Sequence, residues 1–429
     1  MSQSSTTTAR PALLGGSPAV TAPQDEAFRW PVITDEDEAA VLDVMRSGHL
    51  SLHPIVGELE QDYRTWTGRA HALAHNNGTG ALHGAMHAIG IEPGDEVIVQ
   101  SATWWASVMP ILHQGGVPVF AECELDCGGL DPADVERRIT PRTKAIVVVH
   151  LFGMPSKMAE LTALAKKHGL RIIEDASHAH GAKYRGQQIG TFGDISVFSM
   201  QANKLVPSAE GGVLLTDDHD LYIRALRYGH YERLIPMKDE PNRRFAATGF
   251  GMKFRMSPLS AAVARVQLRH LDARNAVRNA NCIKLSQRLE PLGVQTFLAP
   301  DDLDRVYFEF LVRWPETNGL SAPMLAQALQ AEGVQVAAPR YPLLHQQPMF
   351  TEGAWLDIAR LRAWYESRGE TPPTYDPRTL PVTHQSNATL LKLPNFPHAA
   401  DELIEQYAQA FEKVIAHADV LLSEMPTSA

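Results

Sequence analysis

Short, uninterrupted apolar runs punctuate the middle of the chain: Glu96 to Gln100, Val117 to Ala121, Lys144 to His150, Leu170 to Asp175, Asp194 to Met200 and Gly212 to Thr216. Runs of this length, without polar alternation, predict strands buried on both faces. Between them the period changes. Ala81, Leu82, Ala85, Met86 and Ile89 share one side of a helix, as do Met158, Leu161, Leu164 and Ala165. Strand and helix alternate over about 200 residues, which predicts an α/β fold: a mostly parallel sheet with helices on both faces. Ligands of such sheets collect beyond the carboxyl ends of the strands.

After Pro258 a stretch rich in Ala, Leu and Arg predicts helix to about residue 290. Shorter strands follow around Val306 to Trp314, and an amphipathic stretch runs from Asp401 to Leu422. The organisation is read as an N-terminal arm (1–24), mobile at its tip, a large domain (25–270) and a smaller C-terminal α+β domain (271–429). Within the last, residues 353–387 are polar and proline-bearing (ETPPTYDP) and are read as a helix plus a long ordered loop. Such loops often carry specificity, although a solvated insertion has the same composition.

Composition narrows the picture. A chain of 429 residues, 44% hydrophobic and 21% charged, can bury a large core and hold a cleft between units. A net charge of −10 argues against a nucleic-acid partner. No apolar run approaches the roughly 20 residues of a membrane helix. The start, MSQSSTTTARPALLGGSP, lacks the basic end and apolar middle of a secretory signal. Three cysteines, Cys123, Cys127 and Cys282, are too few for a disulfide framework and suit a reducing cytoplasm. No His or Cys pair follows Cys123 and Cys127 at zinc spacing, so they are read as buried thiols and no metal is expected. The acceptor patterns Asn77-Gly78-Thr79 and Asn387-Ala388-Thr389 are set aside for want of an export signal.

Three segments carry candidate chemistry. In His75-Asn76-Asn77-Gly78-Thr79-Gly80 a short strand-like run, Ala70 to Ala74, meets a helix through a glycine-rich turn. Its N–H groups, the Thr79 hydroxyl and the helix dipole make an anion site, though an ordinary capped helix start contains the same residues. In Ile172-Ile173-Glu174-Asp175-Ala176-Ser177-His178 an apolar strand ends on a carboxylate. Asp175 is either a turn cap or an anion facing a pyridine nitrogen, and His178 is placed to bond a ring hydroxyl. In Ser199-Met200-Gln201-Ala202-Asn203-Lys204, before Ala209-Glu210-Gly211-Gly212, a lysine follows a buried strand. Most lysines are surface charges, but desolvation there lowers the amine pKa and frees it to attack an aldehyde. A phosphate cradle, an anion for a ring nitrogen and an amine for an aldehyde are what pyridoxal 5′-phosphate needs.

With these residues in view, the chain resembles the DegT/DnrJ/EryC1/StrS family of pyridoxal-phosphate-dependent aminotransferases acting on keto-sugars and keto-cyclitols. The matching segments are NNGTGAL, SATWWAS, IIEDASHAHGA, GDISVFSMQANK with AEGG, GMKFRMSPLSAAVARVQL and RYPLLHQQPMF. They span about residue 28 to 415. The resemblance implies the fold type I of pyridoxal-phosphate transferases. It implies Lys204 as the Schiff-base lysine, Asp175 as the partner of the ring nitrogen, and His178 where a Gln or His meets the ring hydroxyl. Gly78, Thr79 and Ser199 match phosphate contacts, and Trp104 an aromatic stacked on the ring, although Trp104 and Trp105 also read as core or interface aromatics. Lys253 stands where the family has an asparagine that reaches the phosphate from a neighbouring subunit, and a lysine there is read as a stronger counter-ion; a surface charge is the alternative reading. Arg255 matches the pattern.

The resemblance further implies glutamine or glutamate as amino donor, with pyridoxamine phosphate linking two half-reactions, and a homodimer with shared active sites. LLGGSPAV, WPVITDEDEAAVL and the length of 353–387 look most similar to members that aminate keto-cyclitols such as scyllo-inosose, or aminoglycoside sugars, in antibiotic biosynthesis. Nucleotide-linked keto-sugars are the alternative acceptors. A related sugar dehydratase carries histidine in place of the lysine, and a non-catalytic regulator needs no intact Lys204, Asp175 and Ser199. Gly249-Phe250-Gly251 lacks the third glycine of a dinucleotide fingerprint, which argues against a nicotinamide dehydrogenase.

Overall fold

The computed structural model describes residues 9–424 except 239–240, 301, 316–318, 340 and 399. At its centre lies a seven-stranded sheet of β1 His71–His75, β2 Glu96–Gln100, β3 Val117–Ala121, β4 Thr143–Val149, β5 Arg171–Asp175, β6 Ile195–Ser199 and β7 Gly212–Thr216. The order across it is β1-β7-β6-β5-β4-β2-β3. The six apolar runs are all strands, displaced by at most one residue at either end. Every residue of β2 and β7 is buried, and no polar face interrupts their apolar pattern.

Pairs β2/β3, β2/β4, β4/β5 and β5/β6 are parallel, whereas β7 is antiparallel to β6 and β1. The reversal keeps one loop at the ligand edge. β6 and β7 form a hairpin continued by Met200 N–H to Gly211 O at 2.8 Å and Ala202 N–H to Ala209 O at 2.9 Å. Residues 200–211 therefore leave and re-enter at the carboxyl edge of the parallel strands, where a parallel crossover would have carried the chain to the opposite edge.

Helix α1, Gly78–Ile89, starts just past β1 and buries Ala81, Leu82, Ala85, Met86 and Ile89. Asn77 caps it, its side-chain oxygen accepting the Gly80 N–H at 2.7 Å. Helix α2, His219–Gly229, packs beside it. The helical stretch after Pro258 is two helices, α3 Pro258–Arg269 and α4 Leu271–Leu289, broken at His270.

Apolar side chains gather in two cores. The first surrounds the large sheet. The second is built on an antiparallel pair, β8 Phe310–Arg313 and β9 Leu390–Leu393, with α4, α5 Ala322–Ala331 and α7 Asp401–Ala416; α6 Pro381–Thr389 precedes β9. Residues 353–387 hold short helices at Trp355–Ile358 and Arg362–Arg368. Aromatic anchors fix them over the sheet margin: Trp364 packs where a Gly94 Cβ would lie, and Tyr375 donates to Pro118 O of the edge strand β3 at 2.7 Å.

Residues 11–20 join the second core through a buried clasp. Ala12 and Ala19 N–H donate to the Glu332 carboxylate at 2.7 and 2.8 Å, and Lys413 Nζ bonds Glu332 at 2.9 Å and Ser17 O at 2.7 Å. Val20 is buried in that core. Residues 1–8 of the expected arm and 425–429 lie outside the described residues.

Candidate functional site

Loops leaving the carboxyl edge enclose a cavity of about 440 Å³. Gly78, Thr79, Trp104, Asp175, His178, Ser199 and Lys204 line it together. Lys253 and Arg255 lie outside that lining: Lys253 is exposed, beside the exposed Phe250 and Met252, and Arg255 Nε faces Glu232 at 3.4 Å.

The turn after β1 owes its shape to a missing side chain. A Cβ on Gly78 would lie 2.7 Å from Ser199 Cβ and 3.1 Å from its Oγ. The start of α1 thus touches the end of β6, so that the helix N-terminus, Thr79 and Ser199 line the same cavity.

Asp175 ends β5 and is 5% exposed. Its Oδ2 accepts the Ser107 hydroxyl at 2.7 Å and its Oδ1 the Ser177 N–H at 3.2 Å, contacts that fix the orientation of the carboxylate. Ser107 closes a 3-10 turn, Trp105–Ser107, that also sets Trp104 at the mouth, 48% exposed. Neighbouring Glu174 alternates to a separate task, accepting the N–H groups of Gly190, Phe192 and Gly193 at 2.8, 2.7 and 2.6 Å.

Lys204 sits in the 200–211 hairpin, its Nζ 4.5 Å from the centre of the Phe308 ring. Its carbonyl accepts the indole N–H of Trp30 at 3.1 Å, which fixes the loop from behind. Burial, together with the Lys204 charge, pushes His180 down to about 3, so that imidazole stays neutral beneath the amine. His178 lies under the cavity, stacked on Phe308 at 4.1 Å. Its Nδ1 accepts the Phe152 N–H at 3.3 Å, which puts the ring proton on Nε2, 3.3 Å from Tyr341 Oη.

This donor set suits pyridoxal 5′-phosphate: an anion cradle a side chain at 78 would fill, a nearly dry carboxylate to face the ring nitrogen, and a primary amine for the aldehyde. Among the described residues no group of three or more His, Cys, Asp or Glu is placed to hold a metal, and no helix is long and apolar enough to cross a membrane. The three cysteines are free, and burial pushes the Cys127 thiol up to about 12.

Sequence reasoning passed over Ser107, Tyr341 and Phe308. Ser107 lies three residues after Trp104 in the quoted SATWWAS, so its signal was present. Tyr341 lies in RYPLLHQQPMF, whose Arg340 is outside the described residues. Phe308 carried no signal, because only the packing of the second core's strand against the first core brings it to Lys204.

A model of the DegT/DnrJ/EryC1/StrS aminotransferase family matches residues 31–376. The chain is 33% identical over 412 residues to the L-glutamine:2-deoxy-scyllo-inosose aminotransferase of Streptomyces kanamyceticus, covering 91% of this chain and 94% of that one. Among solved structures it is similar to the aminotransferase of Psychrobacter cryohalolentis, with TM-score 0.81 at 26% identity, over 91% of this chain and 99% of that one. DesV of S. venezuelae gives TM-score 0.74 at 32% identity, over 89% and 94%.

Proposed function

The chain belongs to the DegT/DnrJ/EryC1/StrS aminotransferase family, and on that premise we propose that it moves an amino group from glutamine or glutamate to a keto-cyclitol, in aminoglycoside-type antibiotic biosynthesis in the cytoplasm. One observation carries the reading: Lys204, Asp175, Ser199 and the Gly78-Thr79 turn line a single cavity. The donor and acceptor are supported by the Streptomyces relative's name.

Bound pyridoxal phosphate supplies an electron sink and stores the amino group between two half-reactions. Thr79, Ser199 and the N–H groups of the α1 turn would hold its phosphate. Asp175, oriented by Ser107 and Ser177, would face the ring nitrogen. Lys204 would supply the primary amine for the aldehyde, and its Nζ, once free, would serve as the base that moves the donor α-proton. Trp104, at the mouth, and the His178 and Phe308 stack would flank the bound group.

Two copies complete the site in this proposal. The support is the pair of exposed apolar side chains Phe250 and Met252 that flank the exposed Lys253 in the chain. Across that interface Lys253 and Arg255 serve the partner's phosphate.

The test is a visible absorption scan with a panel of acceptors. A yellow, borohydride-reducible band that Lys204→Ala lacks is expected. Glutamine or glutamate bleaches it, and a keto-cyclitol restores it. Recovery with nucleotide-linked keto-sugars alone refutes the acceptor assignment; a band retained in Lys204→Ala refutes the mechanism.

A further inference from the structure

Beside the main cavity lies a smaller one of about 50 Å³, walled mostly by apolar side chains that include Leu151, Phe152 and Leu311. Tyr341 is a wall of both. Arg305 and Arg313 also line it, 7% and 9% exposed, and aminotransfer as derived above uses neither.

Their partners are neutral. Arg305 donates to Phe297 O at 2.8 Å and lies over the Tyr307 ring at 4.0 Å. Arg313 donates to Leu125 O at 2.5 Å, Ser386 Oγ at 2.9 Å and Gln295 Oε1 at 3.4 Å, with the Phe297 ring at 4.8 Å. Among the described residues neither has an acid at ion-pair distance, and the Nε of each is buried without an acceptor. Asp126, whose charge reaches Arg313, is engaged by Lys157 at 3.3 Å. By contrast Arg69, equally buried, pairs with Asp217 at 2.8 Å. Arg278 also has no acid at ion-pair distance among the described residues, but Asn275 and the Trp30 ring lie against it.

Two guanidinium groups buried without counter-charge carry a desolvation cost that an anion joining them would offset. Burial pushes the pKa of both downward, the direction that cost predicts. A volume of this size equals a few water spheres of roughly 10–15 Å³ each, room for a carboxylate with a carbon or two and too little for a sugar or nucleotide. We propose that the cavity is a carboxylate subsite in which Arg305 and Arg313 together hold one small organic anion against the Tyr341 wall. The planar forks of two guanidinium groups match a carboxylate, and the apolar walls strengthen the attraction. Phe308, on the segment between the two arginines, lies over Lys204, so an occupant steadies the ring above the amine.

Trifluoroacetate, followed by its fluorine resonance, tests the subsite on enzyme saturated with cofactor, where the phosphate turn is filled. Saturable binding is expected, weakened at least about tenfold in Arg305→Gln and in Arg313→Gln, as losing one charge-assisted contact implies. The visible cofactor band should stay unchanged in both. Displacement by 2-oxoglutarate assigns the subsite to the arm of a keto acid, and displacement by acetate alone to a short free carboxylate; either upholds it. No saturable binding, or equal binding in wild type and both variants, overturns it. If an arginine variant fails to fold, Ser386→Ala removes only the hydroxyl steadying Arg313; weaker binding there supports the subsite, and unchanged binding counts against it. The readout is independent of turnover, so its failure leaves the aminotransfer reading standing.

Discussion

Replacing Gly78 by alanine should damage phosphate binding while leaving the fold largely intact. The new Cβ would lie 2.7 Å from Ser199 Cβ and 3.3 Å from its Cα. Carbon atoms settle at about 3.5–4.0 Å, so about 1 Å of clearance must open. Ser199 cannot yield it, because its backbone pairs with Gly212 in the β6/β7 ladder. The turn must retreat instead. Such overpacking costs about 1–3 kcal/mol, offset by up to about 1 kcal/mol of helix propensity gained over glycine. The N–H groups move with the turn, and each charge-assisted hydrogen bond lost is worth about 1.5–3 kcal/mol, or roughly tenfold to two-hundredfold in affinity. Parallel titrations of the cofactor-free protein with pyridoxal phosphate and with pyridoxal separate the effects. The phosphorylated ligand should lose at least about tenfold, whereas pyridoxal, which makes no use of the turn, should change less than about threefold. Equal losses for both ligands, or none for either, would refute the cradle.

Ser107→Ala removes one hydrogen bond to Asp175 and leaves that from Ser177; kcat should fall by about tenfold with thermal stability unchanged. An unchanged kcat would speak against Ser107 as the group that orients Asp175. Glu332→Ala strands the Lys413 ammonium, 3% exposed, and frees two N–H groups, so a loss of about 3–5 kcal/mol is expected, with new proteolytic cleavage before residue 21; an unaltered melting curve would contradict it. Burial holds His75 at about 4 and His180 at about 3, below the unfolded value near 6.5. Their contribution is complete above about pH 6.5 and drains away as pH falls through the folded values, at about 1.4 kcal/mol per pH unit for each ring between roughly pH 6 and 4. Urea midpoints at pH 7 and pH 5 should differ accordingly, and matching midpoints would refute the assignment.

The parallel core was readable because both faces of its strands are buried, so Val97, Ile98 and Val99 in β2 or Ile146, Val147 and Val148 in β4 announce themselves without tertiary information. The chemistry of the edge was readable because each candidate group lies within a few residues of such a strand. Chain reversals were less legible. His270 splits a continuous helical pattern, and nothing in the residues of β7 tells that it runs against its neighbours. Within 353–387, read as one helix plus a long loop, proline and polar residues hid the division into two short helices, Trp355–Ile358 and Arg362–Arg368, which are stabilised by aromatic side chains seated on a distant strand margin. Arg305 and Arg313 look like ordinary surface cations in the sequence; only the meeting of the two cores dries them.

The Glu332 clasp also sets an order of events during synthesis. Ala12, Ser17 and Ala19 leave the ribosome more than 300 residues ahead of the carboxylate and the ammonium that receive them. Residues 12–19 must therefore wait, unattached, until residues 332 and 413 have been made. Trp30, which braces the lysine loop, sits only ten residues beyond Val20. Closure of this terminal seam, a contact of very high sequence separation, belongs to the final stage of maturation rather than to its nucleus.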